Sequence, residues 1–285
     1  MWILLAFASA VFAGLTSVLA KAGIRNVDTN LATAIRTVVI VLFAWLIVFM
    51  TGSFSQEINT RSCVFLVLSG LATGASWLCY FRALKDGDIN KVVPIDKSST
   101  VMTMMLAFIL LGEGLTMLKV LCMILLATGT YLMIERQDAA ATGDTKRGWL
   151  VYAFLAAVFA SLTSILGKVG ITDINANLGT GIITIVVLIM AWLIVFFQGS
   201  YREIASIDSK SWLFLLFSGV ATGSSWLCFY RALQLGPASV VVPIDKLSIV
   251  ISIAFGVMMF KEKLSKKSLA GLSLIVAGTM WLIFI

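Results

Sequence analysis

The first half of the chain contains five apolar segments, at approximately 2–20, 31–50, 63–84, 92–111 and 116–134, separated by short polar turns. The hydrocarbon core of a bilayer is about 30 Å thick, so a helix needs about 20 apolar residues to cross it. Almost every position in these segments is apolar, so they lack the polar face that a helix in water requires. They predict membrane-spanning helices. A content of 60% apolar residues and a mean hydropathy of +1.03 exclude a water-soluble domain.

An internal repeat divides the chain into two similar halves. The sequence SGLATGASWLCYFRAL at Ser69–Leu84 returns as SGVATGSSWLCFYRAL at Ser218–Leu233, with 12 of the 16 positions identical. LTSVLAK and LTSILGK, and two copies of AWLIVF, flank it in the same order. The chain is therefore a tandem duplication. We expect two five-helix repeats at residues 1–135 and 148–285, joined by a polar linker at 136–147.

The number of spans in each half determines how the halves lie in a membrane. Five is an odd number, so the second repeat enters the bilayer from the face opposite to the first. The first segment is a span rather than a secretory signal, because no basic residue precedes it and a near copy lies mid-chain at Val158–Ile171. The predicted fold is an all-α integral membrane protein with ten transmembrane helices in a 5+5 inverted repeat, an arrangement typical of secondary transporters.

Each half places an acidic and a basic residue inside an apolar segment. The hexapeptide VVPIDK occurs at Val92–Lys97 and again at Val241–Lys246. At a rise of about 1.5 Å per residue, each aspartate lies roughly 6–9 Å below the membrane surface. An ionised carboxylate at such depth is costly, by about 2.5–3.5 kcal/mol at the bilayer centre, unless it meets water or a partner. Because the halves are inverted, we expect Asp96 toward one face and Asp245 toward the other.

Polar, charged and aromatic residues within or beside the spans are the candidate functional residues. Adjacent residues on a helix point about 100° apart, so the partners of each aspartate and lysine must lie on other helices. The candidate substrate-binding or proton-binding residues are Asp96, Lys97, Asp245, Lys246, Ser99, Ser248, Arg36, Trp77, Trp226 and Tyr80. The candidate gating or helix-end residues are Lys21, Lys168, Arg82, Arg231, Glu113 and Glu262.

Some of these residues have two readings in the sequence. Arg36 lies six residues into the second span, where the other repeat has Ile183. It either holds an anionic group of a substrate or pairs with an acid in a nearby loop, Glu57 or Asp28. The two tryptophans either line a cavity or fill a helix interface. The proline of each VVPIDK motif either occupies the first turn of a helix or marks a break in it.

The order of motifs within each half resembles the EamA family of the drug/metabolite transporter superfamily. In both halves a helix that starts with VVPIDK leads to GEGLT or KEKLS, and then to the apolar spans LLATGTYLMI or LIVAGTMWLI. The resemblance covers essentially the whole chain, and each half also resembles the half-length EamA proteins of bacteria. It implies a ten-helix fold with a central cavity, alternating access, and movement of amino acids, amines, nucleotide-type metabolites or toxic compounds.

One departure from the family pattern affects the substrate. Much of the family has apolar or hydroxyl residues after the proline, whereas this chain has aspartate and lysine in both halves. Substrate assignments of other members therefore do not carry over. Glu113 and Glu262 match the family motif, for which the resemblance implies a helix-end role.

We therefore expect a secondary active transporter that moves a small charged or zwitterionic metabolite, of amino-acid or amine type, across the plasma (inner) membrane by alternating access. The alternatives are proton-coupled efflux of lipophilic cations and a structural membrane protein that transports nothing. An intramembrane enzyme is not expected, because the chain has no histidine and its two aspartates are assigned to opposite faces.

The expected partners are the small-molecule substrate, the lipid bilayer, and protons or another ion for coupling, with the protein a monomer or a homodimer. Metals and cofactors are not expected, because the four cysteines show no CxxC spacing and histidine is absent. Nucleic acid is not expected either, because lysines and arginines lie in short loops and at helix ends. Their distribution favours termini outside the cell, whereas the family resemblance implies cytoplasmic termini.

Overall fold

A computed structural model describes residues 1–23, 27–86, 92, 95–133, 148–260 and 265–284. Every regular element in these residues is a helix. The α-helices are α1 (Trp2–Gly23), α2 (Thr29–Met50), α3 (Thr60–Asp86), α4 (Ser99–Leu111), α5 (Met117–Leu132), α6 (Gly148–Gly170), α7 (Ala176–Gln198), α8 (Ser209–Leu235), α9 (Ala238–Lys246), α10 (Ser248–Phe260) and α11 (Lys266–Ile283). Short 3-10 helices at Ser53–Ser55 and Ser200–Ser206 follow α2 and α7. The expected linker at 136–147 lies outside the described residues.

The helices have the length and surface of membrane spans. Among the described residues, eight helical segments are long and apolar enough to cross a bilayer, and Met117–Leu132 is a shorter apolar helix. Large apolar side chains lie on the outside of the bundle, including Leu42, Ile109 and Phe197 with exposed fractions of 67%, 72% and 88%. Such an apolar surface suits contact with lipid. Helices can cross the lipid because they satisfy their own backbone hydrogen bonds. The predicted all-α membrane class is confirmed.

Polar residues at the ends of the apolar stretches determine where the helices begin and end. The carboxylate of Asp28 accepts hydrogen bonds from the backbone N–H groups of Asn30 and Leu31, both at 3.0 Å, and so caps α2. Asp208 caps α8 in the same way, and hydrogen bonds from Ser211 lower the pKa of Asp208 below its ordinary value. Gly112 ends α4 with a φ of 66°, a conformation that favours glycine.

The helix contacts between the two halves come in equivalent pairs. Each contact has a counterpart in which the two repeats exchange roles. Helix α1 lies along α8 of the second half, and α6 lies along α3 of the first half. Helix α2 packs on its counterpart α7, and α5 packs on its counterpart α11. This pattern indicates a pseudo-two-fold relation between the repeats. The inverted orientation of the ten helices in the membrane stays a prediction.

Glycines permit the closest of these helix contacts, again in matching positions. A Cβ on Gly70 would lie 2.6 Å from the Cβ of Val186 on α7, and a Cβ on Gly219 would lie 2.6 Å from the Cβ of Val39 on α2. A Cβ on Gly129 of α5 would lie 2.7 Å from the carbonyl oxygen of Gly271 on α11. Small residues at such positions let helices approach closely, which is how membrane helices gain packing energy.

The helix that carries Asp245 is broken directly after its charge pair. The sequence predicted one span from the VVPIDK motif onward and left open whether its proline marks a break. One candidate span does run from Ala238 to Phe255, and within it the single residue Leu247 separates α9 from α10. Pro243 lies inside α9 and has no N–H to donate to the preceding turn. The N–H of Leu247 then bonds to the carbonyl of Ile244 at 3.0 Å, a tighter turn than an α-helix makes. The first half has a comparable turn at Ser98, whereas Pro94 lies outside the described residues.

The contact between α5 and α11 predicts the effect of one methyl group. In Gly129→Ala the new Cβ meets backbone atoms of α11, which cannot move aside cheaply, so we expect a loss of about 1–3 kcal/mol in stability. Gly114→Ala is the matched control, because a Cβ there has open space. Thermal unfolding of both variants in detergent measures the difference, and equal melting temperatures would contradict the contact.

Candidate functional site

The two Asp–Lys pairs meet inside the helix bundle. Helix α9 packs against α1, α4, α6, α8 and α11, and its residues 238–244 are buried. From its start to Lys246 it rises about 12 Å, so the charges at its end lie deep in the bundle. The Lys97 ammonium group is within Coulombic range of Lys246, Asp96 and Asp245. Four charged residues from two repeats therefore share one region.

These charged groups are reachable by solvent although helices surround them. The Lys97 side chain is exposed, and Asp96, Asp245 and Lys246 are partly exposed. Five other helices enclose α9, so the exposure at its C-terminal end faces space within the bundle rather than the outer surface. Charged side chains in a membrane protein are tolerated where they line such a space or pair with one another.

The placement of the aspartates differs from the sequence prediction. We expected Asp96 toward one membrane face and Asp245 toward the other. The structure instead brings both carboxylates within Coulombic range of the single Lys97 ammonium group.

The two carboxylates have different neighbours. The Ser9 hydroxyl donates a hydrogen bond of 2.6 Å to Oδ1 of Asp245, and the Ser9 and Ser225 hydroxyl oxygens lie 3.1 Å apart. The position equivalent to Ser9 in the second repeat is Ala156, so Asp96 has no matching hydroxyl there. Asp96 instead lies within Coulombic range of Tyr80, whose own counterpart is Phe229.

Arg36 has a hydroxyl partner but no acidic one among the described residues. Its Nη2 donates a hydrogen bond of 2.8 Å to Oγ1 of Thr222 on α8. Its Nε is buried and has no hydrogen-bond partner in the described part of the chain. Asp28 caps α2, Glu57 is exposed, and neither pairs with Arg36. The predicted alternative, a pairing with one of these two acids, is therefore wrong in this structure.

Glu113 joins three helices at the end of the bundle where α4 stops. Its carboxylate accepts hydrogen bonds from the backbone N–H groups of Ala238 at 2.6 Å and Ser239 at 2.9 Å, the first residues of α9. Lys168, in the last turn of α6, lies 3.6 Å from the same carboxylate and donates a hydrogen bond to the carbonyl of Gly236. A carboxylate is favourable at a helix N-terminus because the N–H groups there lack intrahelical partners. We call this arrangement the Glu113 clamp.

The structure describes no hydrogen bond between the four remaining candidate binding residues and the charged region. Ser99 is buried, and Ser248 is half-buried at the start of α10. Trp77 borders a narrow crevice between α2, α3 and α7, together with Asn30 and Thr33, and also packs on the core. Trp226 is half-buried and packs on the same core. Their assignment to substrate binding stays a prediction.

The other candidate helix-end residues are at the periphery or outside the described part. The Arg82 guanidinium lies 5.9 Å from the centre of the Tyr152 ring, and Arg231 donates a hydrogen bond to Gln234 on its own helix. The side chain of Lys21 and the whole of Glu262 lie outside the described residues. The structure therefore describes the clamp of Glu113 and Lys168 but not its counterpart in the other repeat.

Sequence reasoning missed the hydroxyl groups that contact the charges. Ser9 and Ser225 lie beside Asp245, and Thr222 lies beside Arg36. Serine and threonine inside membrane spans often bond only to their own backbone, so none of them stands out singly. A signal was present in the comparison of the repeats, where Ser9 and Arg36 are replaced by Ala156 and Ile183.

The Glu113 clamp predicts a graded loss of stability. Glu113→Ala leaves two N–H groups of α9 unsatisfied, so we expect a destabilisation of about 1–3 kcal/mol. Glu113→Gln keeps one acceptor oxygen and should cost less. Glu203→Ala, at an exposed acid on the 3-10 helix after α7, is the matched control and should melt like the wild type. A double-mutant cycle with Lys168→Met should give a coupling of about 0.5–3 kcal/mol, and absence of coupling would contradict the ion pair.

Comparisons with known proteins agree with this architecture. The model of the EamA-like transporter family matches residues 1–135 and 147–284. An uncharacterized transporter from the cobO 3' region of a Sinorhizobium species is 43% identical over 136 residues, which are 48% of this chain and 96% of that protein. An uncharacterized transporter of Archaeoglobus fulgidus is 23% identical over 287 residues, covering 99% of this chain and 97% of that protein.

A solved structure gives the same picture of the fold. The crystal structure of a protein that is 16% identical superimposes with a TM-score of 0.79, covering 98% of this chain and 97% of the other. At that identity the likeness concerns the fold alone. Because the family model matches nearly the whole chain in two successive copies, this protein belongs to the EamA-like transporter family.

Proposed function

We propose that the protein is a secondary active transporter that moves a small charged or zwitterionic metabolite, of amino-acid or amine type, across the plasma (inner) membrane by alternating access. The observation that carries the proposal is the meeting of Asp96, Lys97, Asp245 and Lys246 at helix breaks inside the bundle. Discontinuous helices with polar groups at mid-membrane are typical of substrate sites in transporters.

The charges support a charged cargo because they are not neutralised pairwise. Lys97 and Lys246 form no ion pair within the described residues, and the carboxylate of Asp245 is held by a neutral hydroxyl. Charged groups in such surroundings are stabilised by water or by opposite charges on a ligand. A site with both signs of charge suits a molecule that carries an ammonium group, a carboxylate, or both.

In this proposal a proton or another ion provides the coupling. Asp96 and Asp245 are the candidate coupling residues, because a carboxylate can bind a proton, a metal cation or an ammonium group. The compartment that supplies the coupling ion would then determine the direction of transport.

Alternating access would use the relation between the two repeats. The ten helices form a 5+5 inverted repeat in this proposal, so the two ends of the bundle are equivalent in packing. In this proposal the Glu113 clamp, which joins α4, α6 and α9, would close one end. Lys21 and Glu262 are the corresponding residues of the other repeat and would form the matching clamp in the opposite state.

The family match favours transport over catalysis. The geometric reason given against an enzyme, aspartates on opposite faces, does not hold in this structure. However, Lys97 and Lys246 share the region with both carboxylates. A lysine next to each acid suits binding of a charged ligand better than a pair of carboxylic acids that exchange a proton.

Transport in proteoliposomes tests the proposal. The purified wild type should take up at least one member of a radiolabelled panel of amino acids and amines, faster when a pH gradient is imposed. Asp245→Asn should remove the pH-gradient dependence and lower the flux by about tenfold or more, the effect of losing roughly 1.4 kcal/mol of stabilisation. Asp96→Asn should also lower the flux, because both carboxylates belong to one site.

Asp173→Asn is the control, because Asp173 is an exposed acid in the loop after α6. Its flux should equal that of the wild type. Unchanged flux and unchanged pH dependence in both Asp96→Asn and Asp245→Asn would overturn the assigned site.

A further inference from the structure

We infer that the two repeats bind different parts of the substrate: Arg36, oriented by Thr222, binds a carboxylate, while Asp245, oriented by Ser9, binds the ammonium group of the same zwitterion. This inference rests on the proposed transport function and specifies the substrate class and its orientation. It follows from the contacts between α1, α2 and α8 and from a comparison with the equivalent contacts of the other repeat.

The hydroxyl contacts between the first helix of one repeat and the third helix of the other occur twice. Thr16 of α1 and Thr222 of α8 have hydroxyl oxygens 3.2 Å apart, and so do Thr163 of α6 and Thr73 of α3. Ser225 donates to the carbonyl of Ser9 at 3.0 Å, and Ser76 donates to the carbonyl of Ala156 at 3.0 Å. Because both copies have them, these contacts are explained by helix packing.

The residues at the two ends of this hydroxyl series occur only once. At one end of the series the Ser9 hydroxyl donates a hydrogen bond to Asp245. At the other end the guanidinium group of Arg36 donates a hydrogen bond to Thr222. The equivalent positions are Ala156 and Ile183, both fully buried apolar residues. Packing alone therefore does not require a hydroxyl or an arginine at these positions, and the polar ends need another explanation.

Arg36 has binding capacity that the described residues do not use. A guanidinium group has five N–H donors and stays charged at any physiological pH. In the described part of the chain it makes one hydrogen bond, to Thr222, and its buried Nε has no partner. A carboxylate matches the planar fork of the guanidinium with two parallel hydrogen bonds and neutralises its charge. The inferred ligand of Arg36 is therefore a carboxylate.

Residues on one face of α8 contact the Arg36 guanidinium group directly and Asp245 through Ser9. Thr222 and Ser225 are three residues apart on α8, so they lie on one face, separated by roughly 4.5 Å along the axis. Thr222 holds Arg36, and Ser225 contacts Ser9, which holds Asp245. Hydroxyl contacts on one face of α8 thus connect the Arg36 guanidinium group with the Asp245 carboxylate, the two groups that the inferred zwitterion bridges.

The close packing of α2 on α8 places Arg36 within reach of Thr222. A Cβ on Gly219 would lie 3.1 Å from the carbonyl oxygen of Arg36 itself, so the absence of a side chain there permits the approach. Gly70 makes the equivalent contact with the carbonyl of Ile183, at 3.3 Å. The backbone geometry is therefore shared by both repeats, and only the side chain at position 36 makes it a charged subsite.

Ligand-induced thermal stabilisation of the purified full-length protein tests the inference. The probes are glycine, alanine, leucine and lysine, each together with its methyl ester and its deaminated acid. In the wild type, at least one amino acid should bind about tenfold or more tightly than both of its analogues, because each analogue leaves one charged group unpaired. Thr222→Val should remove most of the preference for the amino acid over its ester, and Arg36→Gln should remove all of it.

Thr73→Val is the matched control. Thr73 makes the equivalent interhelical contact but has Ile183 in place of an arginine beside it, so the preference should remain at the wild-type value. Thr222→Val keeps Arg36 and therefore tests the subsite even if Arg36→Gln fails to fold. Ser9→Ala should weaken the amino acid and its ester alike, because both carry the ammonium group, and leave the deaminated acid unaffected.

The inference is overturned if the esters bind as tightly as the amino acids, if no amino acid binds, or if Thr222→Val and Thr73→Val behave alike. Proteoliposome flux separates these failures from failure of the proposed function. If amines or esters are transported and substitution of Arg36 does not change their flux, the transport function is supported and the carboxylate subsite is contradicted. If the wild type transports no member of the panel, both proposals fall.

Discussion

The bilayer interior supplies no water to a charged side chain, and this constraint accounts for the centre of the structure. Lys97 and Asp245 belong to helices that are otherwise apolar, so each must find a partner or a wet space. The structure provides both, since the charges of the two repeats come within Coulombic range and remain solvent-accessible inside the bundle.

Duplication explains the packing, and divergence between the copies indicates function. Contacts that both copies make, such as those of Gly70 and Gly219, are needed for the helices to approach at all. Positions at which the two copies differ are not required for this close approach of the helices. Three of these differences, at Arg36, Ser9 and Tyr80, lie beside charges or introduce one. Internal symmetry thus provides a comparison within one chain, with each repeat acting as the reference for the other.

Hydropathy allowed the spans to be predicted from the sequence, because a helix end in a membrane is determined by local composition. The segment at 63–84 corresponds to α3, which runs from Thr60 to Asp86. The site was predicted less completely. Asp245 was a candidate binding residue in the sequence, but its hydrogen-bond partner Ser9 is 236 positions away, and only the packing of α1 on α9 and α8 brings them together.

Helix α9 links the clamp at the end of the bundle to the charges at its centre. The Glu113 carboxylate holds the N–H groups of Ala238 and Ser239, and Asp245 and Lys246 lie at the opposite end of the same nine-residue helix. A short helix with its backbone hydrogen bonds made moves as one body, so a displacement that releases Ala238 from Glu113 also displaces Asp245 relative to Ser9. Conversely, a ligand that binds Asp245 in only one position stabilises one state of the clamp, by as much as its affinity differs between the two states. In the proposed transporter, opening of the bundle and occupancy of the site would therefore be coupled through hydrogen bonds at the two ends of one helix.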